Sequence, residues 1–247
     1  MLFFFKPKTI TLDFFTNQNH VFSYAKPQAA NKFYPDWWKT LETPPLRNPH
    51  QPNSVENLDI DSNMRRCVGV SHLYKYGVVL PLWSDLRIYV GPINSGEYQY
   101  LFSDGISSAS QHPDFQKGNF LPNSNYCHIK VHSPWIAYCK DAVPFMLSPL
   151  VWNTNKPEEC IIPNGVVEYK YQHSTNINLF IPRKNEEQIV QLGFNTPMYH
   201  MVPLTDRKLE VKTHLISEAE YEQKYASSRN VTFTGKYNVH KKILKGK

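Results

Sequence analysis

The sequence predicts a mainly β protein with a sandwich core, and three observations carry that expectation. Residues 133–204 are short apolar runs chopped by prolines, and 165–169, 178–181 and 198–202 have strand length with polar, Pro- or Gly-bearing turns between them. Two pieces alternate: Leu86, Ile88 and Val90 against Arg87 and Tyr89, and the run 126–132, the period that gives a strand one buried face. With 19 Pro against 10 Gly, 14% aromatic and 41% hydrophobic residues, the 247-residue chain has the composition of a folded, turn-rich protein.

Three zones follow along the chain. Residues 1–62 begin with a strand, Thr9-Ile10-Thr11-Leu12-Asp13-Phe14-Phe15, and pass through the aromatic segment Phe33-Tyr34-Pro35-Asp36-Trp37-Trp38-Lys39. Four prolines between 44 and 52 then rule out a regular helix or a central strand, leaving an extended connector. This zone is expected to form an extended N-terminal arm on a β-rich core spanning 63–204. In 205–247 the character changes: Ser217-Glu218-Ala219-Glu220 is a capping box, and Tyr221 and Tyr225 fall four apart, predicting a short C-terminal helix over 217–228 before a basic tail.

Charge and cysteine usage narrow the class. The formal charge is +6, but residues 236–247 hold five lysines and no acid, and without those five the balance is about +1. Basicity is thus a property of the tail, whose Lys241, Lys242 and Lys245 either stay solvated or meet acidic protein surfaces or nucleic acid. Cys67, Cys127, Cys139 and Cys160 form no CxxC pair and read as reduced thiols. Lys6 and Pro7 interrupt the apolar start before it reaches signal-peptide length, and no window approaches a membrane span, so a soluble protein in a cytoplasm is expected, with no membrane contact.

Motifs for chemistry are sparse. GxSxG, P-loop, GxGxxG and HExxH patterns are absent. His128 and His132 have helical metal-ligand spacing but sit on an alternating strand, where four residues separate them by about 13 Å, too far for one ion. The only HxD triplet, His112-Pro113-Asp114, reads as a turn with an Asp cap rather than an iron-binding pair. Asp85, Asp104 and Asp141 near turns read as backbone caps rather than acid/base groups. No catalytic residue, metal ligand or cofactor is therefore assigned. The residues singled out for interaction are Tyr34, Trp37 and Trp38, whose rings either anchor a partner surface or plug this segment onto the protein's own sheet.

Two resemblances add to this reading. Tyr34-Pro35-Asp36-Trp37-Trp38-Lys39, Arg65-Arg66-Cys67-Val68-Gly69, Gly77-Val78-Val79-Leu80-Pro81-Leu82-Trp83-Ser84-Asp85 and Ser133-Pro134-Trp135 together resemble an uncharacterised family of tailed-bacteriophage proteins, notably from marine phages. That implies an accessory protein acting by binding, a structural or decoration protein of the virion or a protein of the host cytoplasm. Its partners would be other protein subunits, in a homo-oligomer or a virion. More locally, Gly165-Val166-Val167-Glu168-Tyr169-Lys170-Tyr171, Asn178-Leu179, Gly193 and Met198-Tyr199-His200-Met201-Val202 look like the late strands of dUTPase-like β-clip proteins. The alternatives this implies are a nucleotide-binding or nucleotide-hydrolysing β-clip protein, or a host-directed sequestering protein.

Overall fold

The computed structural model describes residues 9–42, 63–153, 159–170 and 174–230, with the side chains of Arg66 and of 227–230 left aside. The Pro-rich connector and the tail lysines Lys241, Lys242 and Lys245 lie outside the described residues. In chain order come β1 (Thr9–Thr16), β2 (Gln28–Ala29), β3 (Val78–Pro81), β4 (Leu86–Val90), β5 (Tyr98–Phe102), β6 (Ser108–Gln111) and β7 (Tyr126–His132). There follow β8 (Ile136–Tyr138), β9 (Pro144–Ser148), β10 (Gly165–Glu168), β11 (Ile177–Pro182), β12 (Gln188–Leu192), β13 (Pro197–Pro203) and β14 (Lys208–Leu215). Among the described residues four helices, α1 (Asn19–Tyr24), α2 (Asp36–Thr40), α3 (Val68–Lys75) and α4 (Glu218–Asn230), are interspersed with 3-10 turns.

Among the described residues the strands make four sheets, ordered β14-β1-β8, β10-β9-β13-β3-β2, β11-β7-β6 and β12-β4-β5, around a sandwich-like core. Alternation decides what enters it. Ile10, Leu12 and Phe14 of β1, Leu86, Ile88 and Val90 of β4, and Cys127, Ile129 and Val131 of β7 are buried in one cluster. At its centre Trp135 meets Phe14 edge-to-face at 6.2 Å, and its indole N–H donates to the Ala25 carbonyl at 3.2 Å.

β3 is buried along its whole length because it has an interior on each side. Val78 and Leu80 enter the sandwich cluster, while Val79 enters a second cluster with Ala30, Phe33, Val70, Tyr74 and Leu150. Gly77, just before the strand, has φ +82°, and a Cβ there would lie 2.5 Å from the Met201 carbonyl, so only glycine lets β13 close on this turn.

In the described part of the N-terminal zone, Thr9–Thr16 is woven into the core, because β1 pairs in parallel with β14 from Thr9↔Lys208 to Thr16↔Leu215. The stretch 208–215, grouped by sequence with the C-terminal helix, is thereby a strand. α4 itself follows with the Ser217 hydroxyl accepting the Glu220 N–H at 3.3 Å, as a cap should. Tyr221 and Tyr225 stack at 6.3 Å, and Lys224 lies 4.3 Å over the Phe15 ring, which fastens the helix to the outer face of β1.

One buried charge ties the loops together. Arg183, 5% exposed, donates to the carbonyls of Asn123, Gly91 and Glu97, each at 2.8 Å. The guanidinium thus serves as a hydrogen-bonding hub for turns that would otherwise bury bare carbonyls. No helix among the described residues is long and apolar enough to cross a membrane.

Candidate interaction site

The aromatic segment builds an annex behind β3. Pro35 sets the start of α2, and Tyr34 and Trp38, four apart, turn the same way and stack at 4.4 Å, with Tyr74 of α3 against Tyr34 at 4.7 Å. The polar tip of each ring finds a carbonyl: the Tyr34 hydroxyl donates to Ser71 at 3.0 Å and the Trp38 indole to Met64 at 3.2 Å. Arg65 covers Trp38 at 5.7 Å and donates to the carbonyls of Lys39 and Leu41 at the end of α2. Tyr34 and Trp38 therefore fasten this segment to the protein's own body.

Trp37 points the other way. It is 38% exposed, its indole N–H donates to the Trp152 carbonyl at 2.8 Å, and the two rings sit 6.0 Å apart at 49°. Trp152 was not singled out in the sequence, although its place in the short apolar run Leu150-Val151-Trp152, just after Pro149, marks it as an aromatic in a turn.

The turn carrying Trp152 separates two hollows. On one side is an apolar pocket of about 240 Å³, walled by Leu150, Val151, Cys160, Ile162, Leu192 and Met198. Val151 and Ile161 stand exposed at its rim, and β12, an edge strand, forms one wall. Burial, aided by Glu159, pushes the Cys160 thiol up to about 12, so it is a protonated, apolar wall residue and not a nucleophile. On the other side is an open, more polar depression of about 480 Å³, where Lys32, Asp36, Trp37, Lys39, Trp152 and Asn195 converge. Asn153 fixes the turn between them: it donates to the Phe33 carbonyl at 2.8 Å and accepts from the Tyr74 hydroxyl.

The titratable residues flagged by sequence have structural partners elsewhere. Asp104 accepts the N–H groups of Ile106 and Ser107 and the Ser107 hydroxyl. Burial alone would raise its pKa, but these bonds and nearby His20 outweigh it and hold the carboxyl below the usual range. His20 approaches Asp104 at 3.9 Å, so the carboxylate, not the histidine, stands in the middle, and nothing in this trio takes a proton from Ser107. Asp85 accepts the Phe194 N–H at 2.6 Å, and Asp141 pairs with Arg207 at 3.2 Å.

His128 is sandwiched between His112 at 4.4 Å and Phe180 at 4.1 Å on the outer face of β7. Burial first, and then the charge of His112, push its pKa down to about 4, so the ring is neutral at neutral pH. His132 bonds Ser110 at 3.0 Å, while Asp114 opens a 3-10 turn and accepts from Lys117 and the Asn123 N–H. Among the described residues no three His, Cys, Asp or Glu side chains converge to hold a metal ion.

Compared with protein-family models, with curated proteins and with solved structures, the chain matches none of them.

Proposed function

We propose that this protein works by binding, as an accessory protein of a tailed-phage particle whose neighbouring subunit docks over the apolar pocket beneath Val151 and Ile161. The observation that carries the reading is a concave apolar site with aliphatic side chains exposed at its mouth, beside a strand edge that is unpaired among the described residues. Sites of this kind accept an anchor side chain, and an edge strand adds main-chain hydrogen bonds to the contact. The phage setting is supported by the resemblance to that family, which covers most of the chain up to about Leu204.

The test is a charge placed at the rim. The double variant Val151→Asp/Ile161→Asp is expected to keep the parent melting temperature and to lose self-association or binding to phage particles, read by light scattering and co-sedimentation. A parent chain that stays monomeric and ignores particles would overturn the proposal. So would a melting shift specific to a nucleotide with Mg²⁺, which belongs to the β-clip alternative.

A further inference from the structure

We infer that the depression on the other side of the 151–153 turn is a carbohydrate-binding site, with Trp37 and Trp152 as its platform. This goes beyond the subunit-docking reading and uses a different set of residues. A pyranose ring presents an apolar C–H face and a rim of hydroxyls, so a site for it needs an exposed aromatic face and short polar groups around the edge.

Trp37 and Trp152 are 38% and 39% exposed, and their rings open at 49° into a shallow V. The bond from the Trp37 indole N–H to the Trp152 carbonyl holds that ring in place, so little side-chain freedom is lost when a ligand stacks on it. Asp36 supplies acceptors: its side chain is 94% exposed, and one carboxylate oxygen is held at 2.9 Å from Lys39. Lys32 and Asn195 line the same hollow and have no side-chain partner among the described residues. Asn195 is locked in a left-handed turn with φ 63°, its N–H donating to the Leu82 carbonyl at 2.8 Å, which fixes where its amide begins.

The rival occupant of an aromatic platform with lysines nearby is single-stranded nucleic acid. Phosphate backbones are drawn by a groove of uncompensated cations. Here Asp36 pairs with Lys39, so Lys32 is the single unpaired cation among the described lining residues. That balance favours a polyhydroxylated ring over a phosphate chain.

The test titrates the full chain with maltotriose, cellotriose and chitotriose while following the Trp37 and Trp152 indole N–H signals by NMR, with the Trp152 signal and calorimetry reporting binding by the Trp37 variants. At least one sugar is expected to shift the Trp37 signal. Trp37→Ala is expected to weaken its binding at least about tenfold, roughly 1.4 kcal/mol. Trp37→Phe, which keeps an aromatic face, should restore most of the affinity. Val151→Asp/Ile161→Asp should leave sugar binding unchanged, which separates failure here from failure of the docking reading. The inference is overturned if none of the three sugars moves the Trp37 signal, if Trp37→Ala binds as the parent does, or if oligothymidylate binds the hollow in a salt-sensitive way instead.

Discussion

Two apolar interiors lie on either side of β3, and they are held by different means. The sandwich interior is made by register: period-two strands deliver Ile10, Leu12, Phe14, Ile88 and Val131 to one place, and the sheet hydrogen bonds satisfy the backbone. The annex has little sheet to rely on. Its short helices and 3-10 turns leave carbonyls open, and Tyr34, Trp37 and Trp38 close several of them with ring hydroxyl and indole donors. An aromatic with a polar tip does two jobs there, covering apolar surface and ending a turn. The comparison also explains why the exposed aromatic pair sits in the annex: a ring fixed by its edge keeps a face free.

The largest expected effect contrasts the two interiors directly. Trp135→Ala empties the centre of the sandwich and should cost about 4 kcal/mol, unfolding the chain in one transition. Trp38→Ala, at a half-buried ring, should cost roughly 2 kcal/mol and loosen α2 and α3 while the sheets persist. Chemical denaturation followed by far-ultraviolet circular dichroism and tryptophan fluorescence would check both. Equal costs with one shared transition would erase the distinction.

Acid sharpens the contrast next. Below the ordinary imidazole value of 6.5 an unfolded chain takes up a proton that folded His128 refuses until about pH 4. Stability is therefore full above about pH 6.5 and declines through that window. Buried His200, on the annex side of the five-stranded sheet, is also shifted down by burial, against the opposing pull of its 2.6 Å bond to the Tyr76 carbonyl. Unfolding midpoints measured across this range should show His128→Phe removing part of the slope and leaving the shares of His200 and of His132, which burial also shifts down. A parent protein equally stable throughout the window would refute the assignment.

The smallest effect is a substitution expected to do almost nothing. Tyr169 is fully buried in the sandwich, packed on Phe145 at 5.6 Å, and its hydroxyl has no partner among the described residues. Tyr169→Phe should change stability by no more than about 0.5 kcal/mol, or raise it, because it removes an unsatisfied buried group. In the annex the matching change, Tyr74→Phe, breaks a bond to Asn153 and should destabilise, and thermal melts of the two variants would show whether polar ring tips matter on one side of β3 only.

What the sequence revealed follows from which forces act locally. β4 and β7 were legible to the residue because their alternation is uninterrupted, and α4 because its capping box is local chemistry. β14 alternates just as well, with Leu209 and Val211 between Lys208, Glu210 and Lys212, but it lies next to the helix signal and its partner is β1, far away in sequence. α3 was missed because Val68-Gly69-Val70 has poor helix propensity; the helix is held by Val70 and Tyr74, four apart, packing into the annex. At the candidate site the aromatic cluster was visible, and its division into Tyr34 and Trp38 inward and Trp37 outward follows from spacing. The meeting of Trp37 with Trp152, 115 residues apart, leaves no local signature.

The pairing of β1 with β14 has a consequence for biosynthesis. As the chain leaves the ribosome, Ile10, Leu12 and Phe14 emerge well before Lys208–Leu215, the strand that completes their sheet. In the interval β8 is the partner on offer, and it pairs with only three residues of β1, Asp13, Phe14 and Phe15. The nascent protein therefore carries a sticky ribbon until β14 is made, and sheet closure between strands so far apart in sequence should be a late, slow event in its folding.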